Sequence, residues 1–436
     1  MNQMHFIKDA EQRKWVIIGT IFLAIICNYI DRQLLSILKP DIKLFFDIGD
    51  DGYAFIVNIF LICYAVMYPI SGILVDKFGP KRVMLTGIAC WSLACIGGGL
   101  STNVVQFTVC RGILGLAEPT IFAGQIVVVT LWFTKKQRAT ANSLCTAGGS
   151  IGTVIAPIVI AWLSTVFASW QEVFLIAGTA GILIAVLWAF TYAHPPRYVL
   201  DRTLPSVHGA GGATEKAFTW MQLWTTRTLW GVLLIRFISD PVWYFCCFWL
   251  PGYLQEDSGL TLIQVGYVGW IPFLLGALGG IATSAWSDRM VRRGMPSLVA
   301  RKRVLTYVAF FGPLCMFTLF FNTLPAGWNV AAIIASYSLI AVMCLSWLYT
   351  ICVVIAESFP VKNVASVTGI TAGFGAVGGA IFNYYVGQLL GTMGGTLFVI
   401  MGLMHLSAIA LLWKMTRPEH ANRKIKEIKT AKEIMK

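Results

Sequence analysis

The chain has 436 residues, 57% hydrophobic and 12% charged, with a mean hydropathy of +0.73 and a formal net charge of +13. A soluble domain is roughly one quarter charged, so the polar side chains needed to cover a water-facing surface are missing. The composition excludes a cytosolic enzyme, a disordered chain and a secreted disulfide scaffold, and it points to an integral membrane protein.

Apolar runs of roughly 20 residues, enough to cross a hydrocarbon core of about 30 Å, fall at 15–38, 52–75, 81–101, 104–132, 139–166, 171–193, 228–254, 262–287, 303–322, 327–355, 364–391 and 395–415. Twelve membrane-spanning helices are predicted, in an all-α protein. The polar stretch 194–227, containing His208-Gly-Ala-Gly-Gly-Ala-Thr-Glu215-Lys216, separates an N-terminal six-helix bundle (1–193) from a C-terminal one (228–416). A basic tail, 417–436, follows. Of the 33 basic residues, 28 fall on alternate loops and on the two termini, and the opposite loops hold only Lys39 and Lys43. By the positive-inside rule both termini are cytoplasmic. The positive charge is therefore a topology signal addressed to the lipid bilayer, not a nucleic-acid footprint.

Six charged residues remain inside spans: Asp31 and Arg32 in the first, Arg111 and Glu118 in the fourth, Arg236 and Asp240 in the seventh. Each costs at least ~2.5 kcal/mol to insert and by default marks a pathway or coupling site. At 1.5 Å per residue, Asp31 and Glu118 both lie about 24 Å from the cytoplasmic ends of their helices. Arg111 is seven residues from Glu118, on nearly the same face. These residues are expected to converge in one cavity. Arginine keeps its charge and offers a planar fork to a carboxylate. A carboxylic acid gains or loses its proton according to burial and neighbouring charge. Asp31 and Glu118 are thus the candidate proton carriers and Arg111 the anion anchor, with Glu118 free to pair with Arg111 once deprotonated. A static salt bridge is the alternative.

Further candidate ligands are Tyr29 and Arg32 on the first span, Tyr64 and Tyr68 on the second, Trp243 and Tyr244 on the seventh, and Asn383 on the eleventh. Arg236 and Asp240 are four residues apart, placed to pair with each other. Pro241 and Pro251 mark the seventh span as a broken helix; Trp249, like Trp243 and Tyr244, can stack on an apolar face of a ligand, with an interfacial aromatic belt as the alternative for Trp249 and Tyr253. The Gly148–Gly152 and Gly369–Gly379 runs suit close helix packing. No spacing of Cys and His suggests a metal site, and no motif calls for a cofactor.

The halves echo each other. Gly72-Ile-Leu-Val-Asp76-Lys77-Phe-Gly79-Pro80-Lys81-Arg82 follows the second span, and Ser284-Ala-Trp-Ser-Asp288-Arg289 closes the eighth. Asp76, Lys77, Lys81, Arg82, Asp288 and Arg289 can latch neighbouring helices at the cytoplasmic surface. Parallel six-span repeats are a transporter architecture with substrate near the midplane. The Gly72–Arg82 segment resembles the loop signature of the major facilitator superfamily, with Pro80 and Ser284 as departures. Asn28-Tyr29-Ile30-Asp31-Arg32, Arg111-Gly-Ile-Leu-Gly115-Leu-Ala-Glu118, Asp240-Pro241-Val-Trp243 and Ser366-Val-Thr368-Gly369 are similar to the anion:cation symporter branch, above all to bacterial hexuronate and sugar-acid transporters. The resemblance implies a monomeric inner-membrane symporter importing a small anion with a proton as coupling ion. It also implies an anion-binding arginine at Arg111, with coupling acids at Glu118 and Asp31. Other carboxylates, sodium coupling, proton-driven export and a non-transporting sensor stay open.

Overall fold

The computed structural model describes residues 10–133, 135–196, 218–325 and 327–416. The linker residues 197–217, the tail 417–436, Lys8 and the side chains of Lys135, Lys136 and Lys362 lie outside the described residues. Among the described residues every regular element is helical, with no strand. Eleven stretches are long and apolar enough to cross a membrane.

The helices are α1 (Ala10–Ile37), α2 (Lys39–Phe46), α3 (Asp50–Phe78), α4 (Pro80–Gly99), α5 (Val104–Ala117), α6 (Pro119–Trp132), α7 (Lys135–Val166) and α8 (Trp170–Thr191). They continue with α9 (Trp220–Thr225), α10 (Arg227–Phe248), α11 (Leu250–Glu256), α12 (Leu262–Val268), α13 (Ile271–Arg292) and α14 (Ser297–Ala309). After a 3₁₀ turn at Gly312–Phe317 come α15 (Thr318–Phe321), α16 (Trp328–Ser358) and α17 (Val361–Met415).

Differences from the predicted spans have local causes. The fourth span is interrupted at Glu118, because Pro119 supplies no backbone N–H to continue the ladder. The seventh ends at Phe248 and restarts at Leu250 with Pro251 in its first turn. In α17, by contrast, Met393 has φ −131° and ψ 36°, so the 55-residue stretch is two helices meeting at a kink that falls in the gap between the predicted 364–391 and 395–415. Helix α2 was read as plain loop; its own Asp47, at φ 51°, closes it in the left-handed region.

The chain divides into two compact units, one comprising Met1–Gly212 with Cys247–Trp270, the other Ala213–Cys246 with Ile271–Lys436. The segment 247–270, placed by sequence in the second half, thus groups with the first. In the first unit α7 packs on α1 and α4 on α8. A Cβ on Gly152 would stand 2.7 Å from the Ile26 carbonyl oxygen and one on Gly178 2.7 Å from that of Ser92, so both contacts require glycine. Trp188 Nε1 donates to the Lys81 carbonyl at 3.1 Å, tying α8 to the start of α4. In the second unit α13 packs on α16, and Gly375, Gly378 and Gly379 line the face of α17 that meets α10. Asn363, one turn into α17, grips Phe218 at both backbone groups: its Oδ1 accepts from the Phe218 N–H at 2.8 Å and its Nδ2 donates to the Phe218 carbonyl at 3.0 Å.

Candidate functional site

Three helices of the first unit bring the predicted charges together. Helix α1 supplies Tyr29, Asp31 and Arg32, α3 supplies Tyr64 and Tyr68, and α5 supplies Arg111 and ends at Glu118. Asp31, Arg111 and Glu118 are all at most 1% exposed, which leaves no water to solvate them. Arg32 Nε lies 2.5 Å from Glu118 Oε2. The guanidinium of Arg32 sits 4.7 Å from the centroid of Tyr64, 5.0 Å from Tyr29 and 5.7 Å from Phe60. The aromatic faces help hold the charge in place of water.

Glu118 is therefore engaged by Arg32 rather than by Arg111, its expected partner. Two helical turns separate Arg111 from Glu118, about 10 Å along the axis, whereas Arg32 reaches across from α1. Arg111 rests 5.3 Å from the Phe60 ring centroid, and its Nη1 donates to the Asp31 carbonyl at 3.5 Å. Its Nε and Nη2 are buried with no hydrogen-bond partner among the described residues. Buried donors are rarely left so, and a forked pair of them matches a carboxylate. The Asp31 carboxylate is within 3.7 Å of Cys95 Sγ on α4, a thiol that also lies 3.4 Å from the Phe174 carbonyl.

Sequence reasoning missed Phe60, whose ring serves both Arg32 and Arg111, and Cys95. Phe60 lies four residues before Tyr64 and hence on its face of α3, a signal that was available. Cys95 carried none, because its contact depends on how α4 leans on α1.

The remaining candidates lie in the second unit. Arg236 Nε and Asp240 Oδ2 are 2.8 Å apart, one turn from each other on α10. Trp243 packs edge-on to Phe273 at 5.9 Å, Tyr244 lies against Gly379, and Asn383 is buried. Trp249 and Tyr253, which belong to the first unit, are each 1% exposed, which removes them from an interfacial belt.

Of the predicted latch, Asp76, Lys77 and Arg82 are exposed, Lys81 is half-buried, and none of the four forms an ion pair among the described residues. Asp288 pairs with Arg301 at 2.5 Å, not with Arg289, and Arg301 also reaches Glu357 at 3.5 Å and the Ser287 hydroxyl. A second latch, unforeseen, joins Lys39, Lys43, Asp50 and Glu256. There Lys43 Nζ lies 2.9 Å from Asp50 and 3.0 Å from Glu256. Burial on its own would lower the Lys43 pKa, but the hydrogen bonds and charges of Asp50 and Glu256 outweigh it and hold the group above the usual lysine value. Its share of the latch is therefore intact at neutral pH and lost only as pH rises through that raised value.

The family model described as Major Facilitator Superfamily matches residues 21–381. The hexuronate transporter of Escherichia coli K12 is 26% identical over 420 residues, covering 94% of this chain and 95% of that one. The galacturonate transporter of Dickeya chrysanthemi is 28% identical over 278 residues, 62% of this chain and 79% of the relative. The crystal structure of a D-xylose-proton symporter superposes with a TM-score of 0.75 at 13% identity, covering 93% of this chain and 98% of that one, a likeness of fold alone. This chain belongs to the Major Facilitator Superfamily and is a membrane transporter, not an enzyme.

Proposed function

We propose that the chain is a proton-coupled symporter that imports an organic anion, a hexuronate such as galacturonate or glucuronate, by rocker-switch alternating access. One observation carries the reading: a fully buried guanidinium, Arg111, keeps two unpaired N–H groups beside a buried Arg32–Glu118 ion pair. In this mechanism Arg111 grips the substrate carboxylate through those donors. Glu118 and Asp31 carry the proton, and protonation of Glu118 releases Arg32 from its pair. Tyr29, Tyr64 and Tyr68 bind the sugar hydroxyls and ring, and Trp243, Tyr244 and Asn383 are further candidate ligands. The galacturonate and hexuronate transporters among the relatives support the substrate class.

An aldarate is the second reading, since a probable galactarate/D-glucarate transporter of Bacillus subtilis is 30% identical over 311 residues. Against it, Arg236 is already neutralised by Asp240, so a second carboxylate finds no uncommitted guanidinium there. The transporter works as a monomer in the inner membrane, with twelve spans and cytoplasmic termini. Two features support the twelfth: a 55-residue helix would measure about 82 Å, far beyond a core of about 30 Å, and this one is kinked at Met393.

Reconstitution into liposomes tests the reading. Galacturonate should accumulate under an inward proton gradient, glucarate should not, and a sodium gradient alone should drive nothing. Glu118→Gln should retain counterflow and lose accumulation; full accumulation by that variant would falsify the coupling role.

A further inference from the structure

Four charged side chains of the first unit close into a ring. Lys39 Nζ lies 2.6 Å from Glu256 Oε2 and 2.9 Å from Asp50 Oδ1. Lys43, one turn along α2, bridges the same two acids, 2.9 Å from Asp50 Oδ1 and 3.0 Å from Glu256 Oε1. Two ammonium groups thus share two carboxylates, and the ring is neutral. Lys39 is fully buried, its ammonium 4.6 Å from the Trp249 ring and 5.4 Å from Tyr53. Its aliphatic stem fills the space over Gly252, where a Cβ would stand 2.5 Å from Lys39 Cδ.

Three of the charges lie within twelve residues of chain, 39–50, and only Glu256 comes from the later segment. The bonds that hold that segment include Tyr53 donating to the Phe248 carbonyl at 2.7 Å and Gln255 Nε2 to that of Ile37 at 2.8 Å. If α11 withdraws, Trp249 leaves with it, and two lysines face one carboxylate beside Tyr53. The opened ring carries one positive charge in excess, and that charge attracts an anion. The group that fits is the one that left, a carboxylate.

We propose that Lys39 and Lys43 form a carboxylate-exchange site, in which the carboxylate of an incoming anion replaces Glu256 when this end of the molecule opens. The site rests on the reading of the chain as an anion importer, since this end of α1 faces outward only with cytoplasmic termini. It is separate from the Arg111 site. It makes opening favourable when an anion is at hand and returns Glu256 to the lysines as the anion moves on.

The full chain in liposomes, with galacturonate as probe, tests this at low and high potassium chloride. Lys43→Gln should raise the KM for outward-side uptake about fivefold and flatten its dependence on salt. The swap of Lys43→Glu with Glu256→Lys rebuilds a neutral closed ring but leaves a negative rim on opening, so its KM should stay raised. A KM for Lys43→Gln equal to wild type, or a swap that restores wild-type KM, overturns the exchange site and leaves a latch. Should the wild type take up no galacturonate, the functional reading fails on that result alone. The exchange site is then judged on purified Glu256→Gln, whose melting temperature acetate should raise more than equal chloride. Adding Lys43→Gln should abolish that difference, and no acetate effect in Glu256→Gln would overturn the proposal.

Discussion

The membrane-interior charges of the two units solve the same problem in opposite ways. In the second unit Arg236 and Asp240 sit one turn apart on α10 and neutralise each other. They depend on one helix, with Gly375 of α17 leaving room for the carboxylate. In the first unit the partners come from different helices: Arg32 of α1 reaches Glu118 at the end of α5, and Arg111 lies over Phe60 of α3. A pair within one helix stays made whenever the helix is made. A pair between helices also breaks when the helices shift, so only the second kind can report on movement of one helix against another.

Three substitutions break or sharpen that contrast. The largest effect is expected from Arg32→Gln, which leaves Glu118 buried without its ion-pair partner and should destabilise the detergent-purified protein by roughly 3–5 kcal/mol in thermal unfolding. Next comes Gly378→Ala. Its Cβ would press on the Phe237 backbone carbonyl, which cannot rotate away, so a loss of about 1–3 kcal/mol is expected from overpacking. The smallest effect is expected from the double replacement Arg236→Met with Asp240→Leu, which should change stability by no more than about 1 kcal/mol and leave galacturonate uptake in place. Loss of uptake in that variant would show that the one-helix pair does more than neutralise itself.

Much of this was legible in the sequence, because hydropathy, proline and charge position act locally. The spans follow from apolar runs and the Arg236–Asp240 pair from a spacing of four, whereas the fourth span reads as one run, 104–132, with Pro119 given no weight. The gathering of Asp31, Arg32, Arg111 and Glu118 was also foreseeable from depth along their helices. Their partnering was not. Whether Glu118 meets Arg32 or Arg111 depends on the rotation of α1 against α5, which no single helix encodes. Lys39 and Lys43 looked like ordinary loop charges because Glu256, their partner, lies more than 200 residues away. The Met393 kink, although no proline marks it, lies in the gap between the apolar runs 364–391 and 395–415.

The Asn363 amide, gripping Phe218 at both its N–H and its carbonyl, has a practical consequence for engineering. It acts like one rung of a β-ladder inside a helical protein and gives the incoming chain a fixed mooring just before α9. A tether or reporter inserted between 197 and 217 would transmit its tug to the first turn of α17 through that mooring, and α10 would feel little of the load. The insertion site and α10 are, in that sense, mechanically insulated from each other.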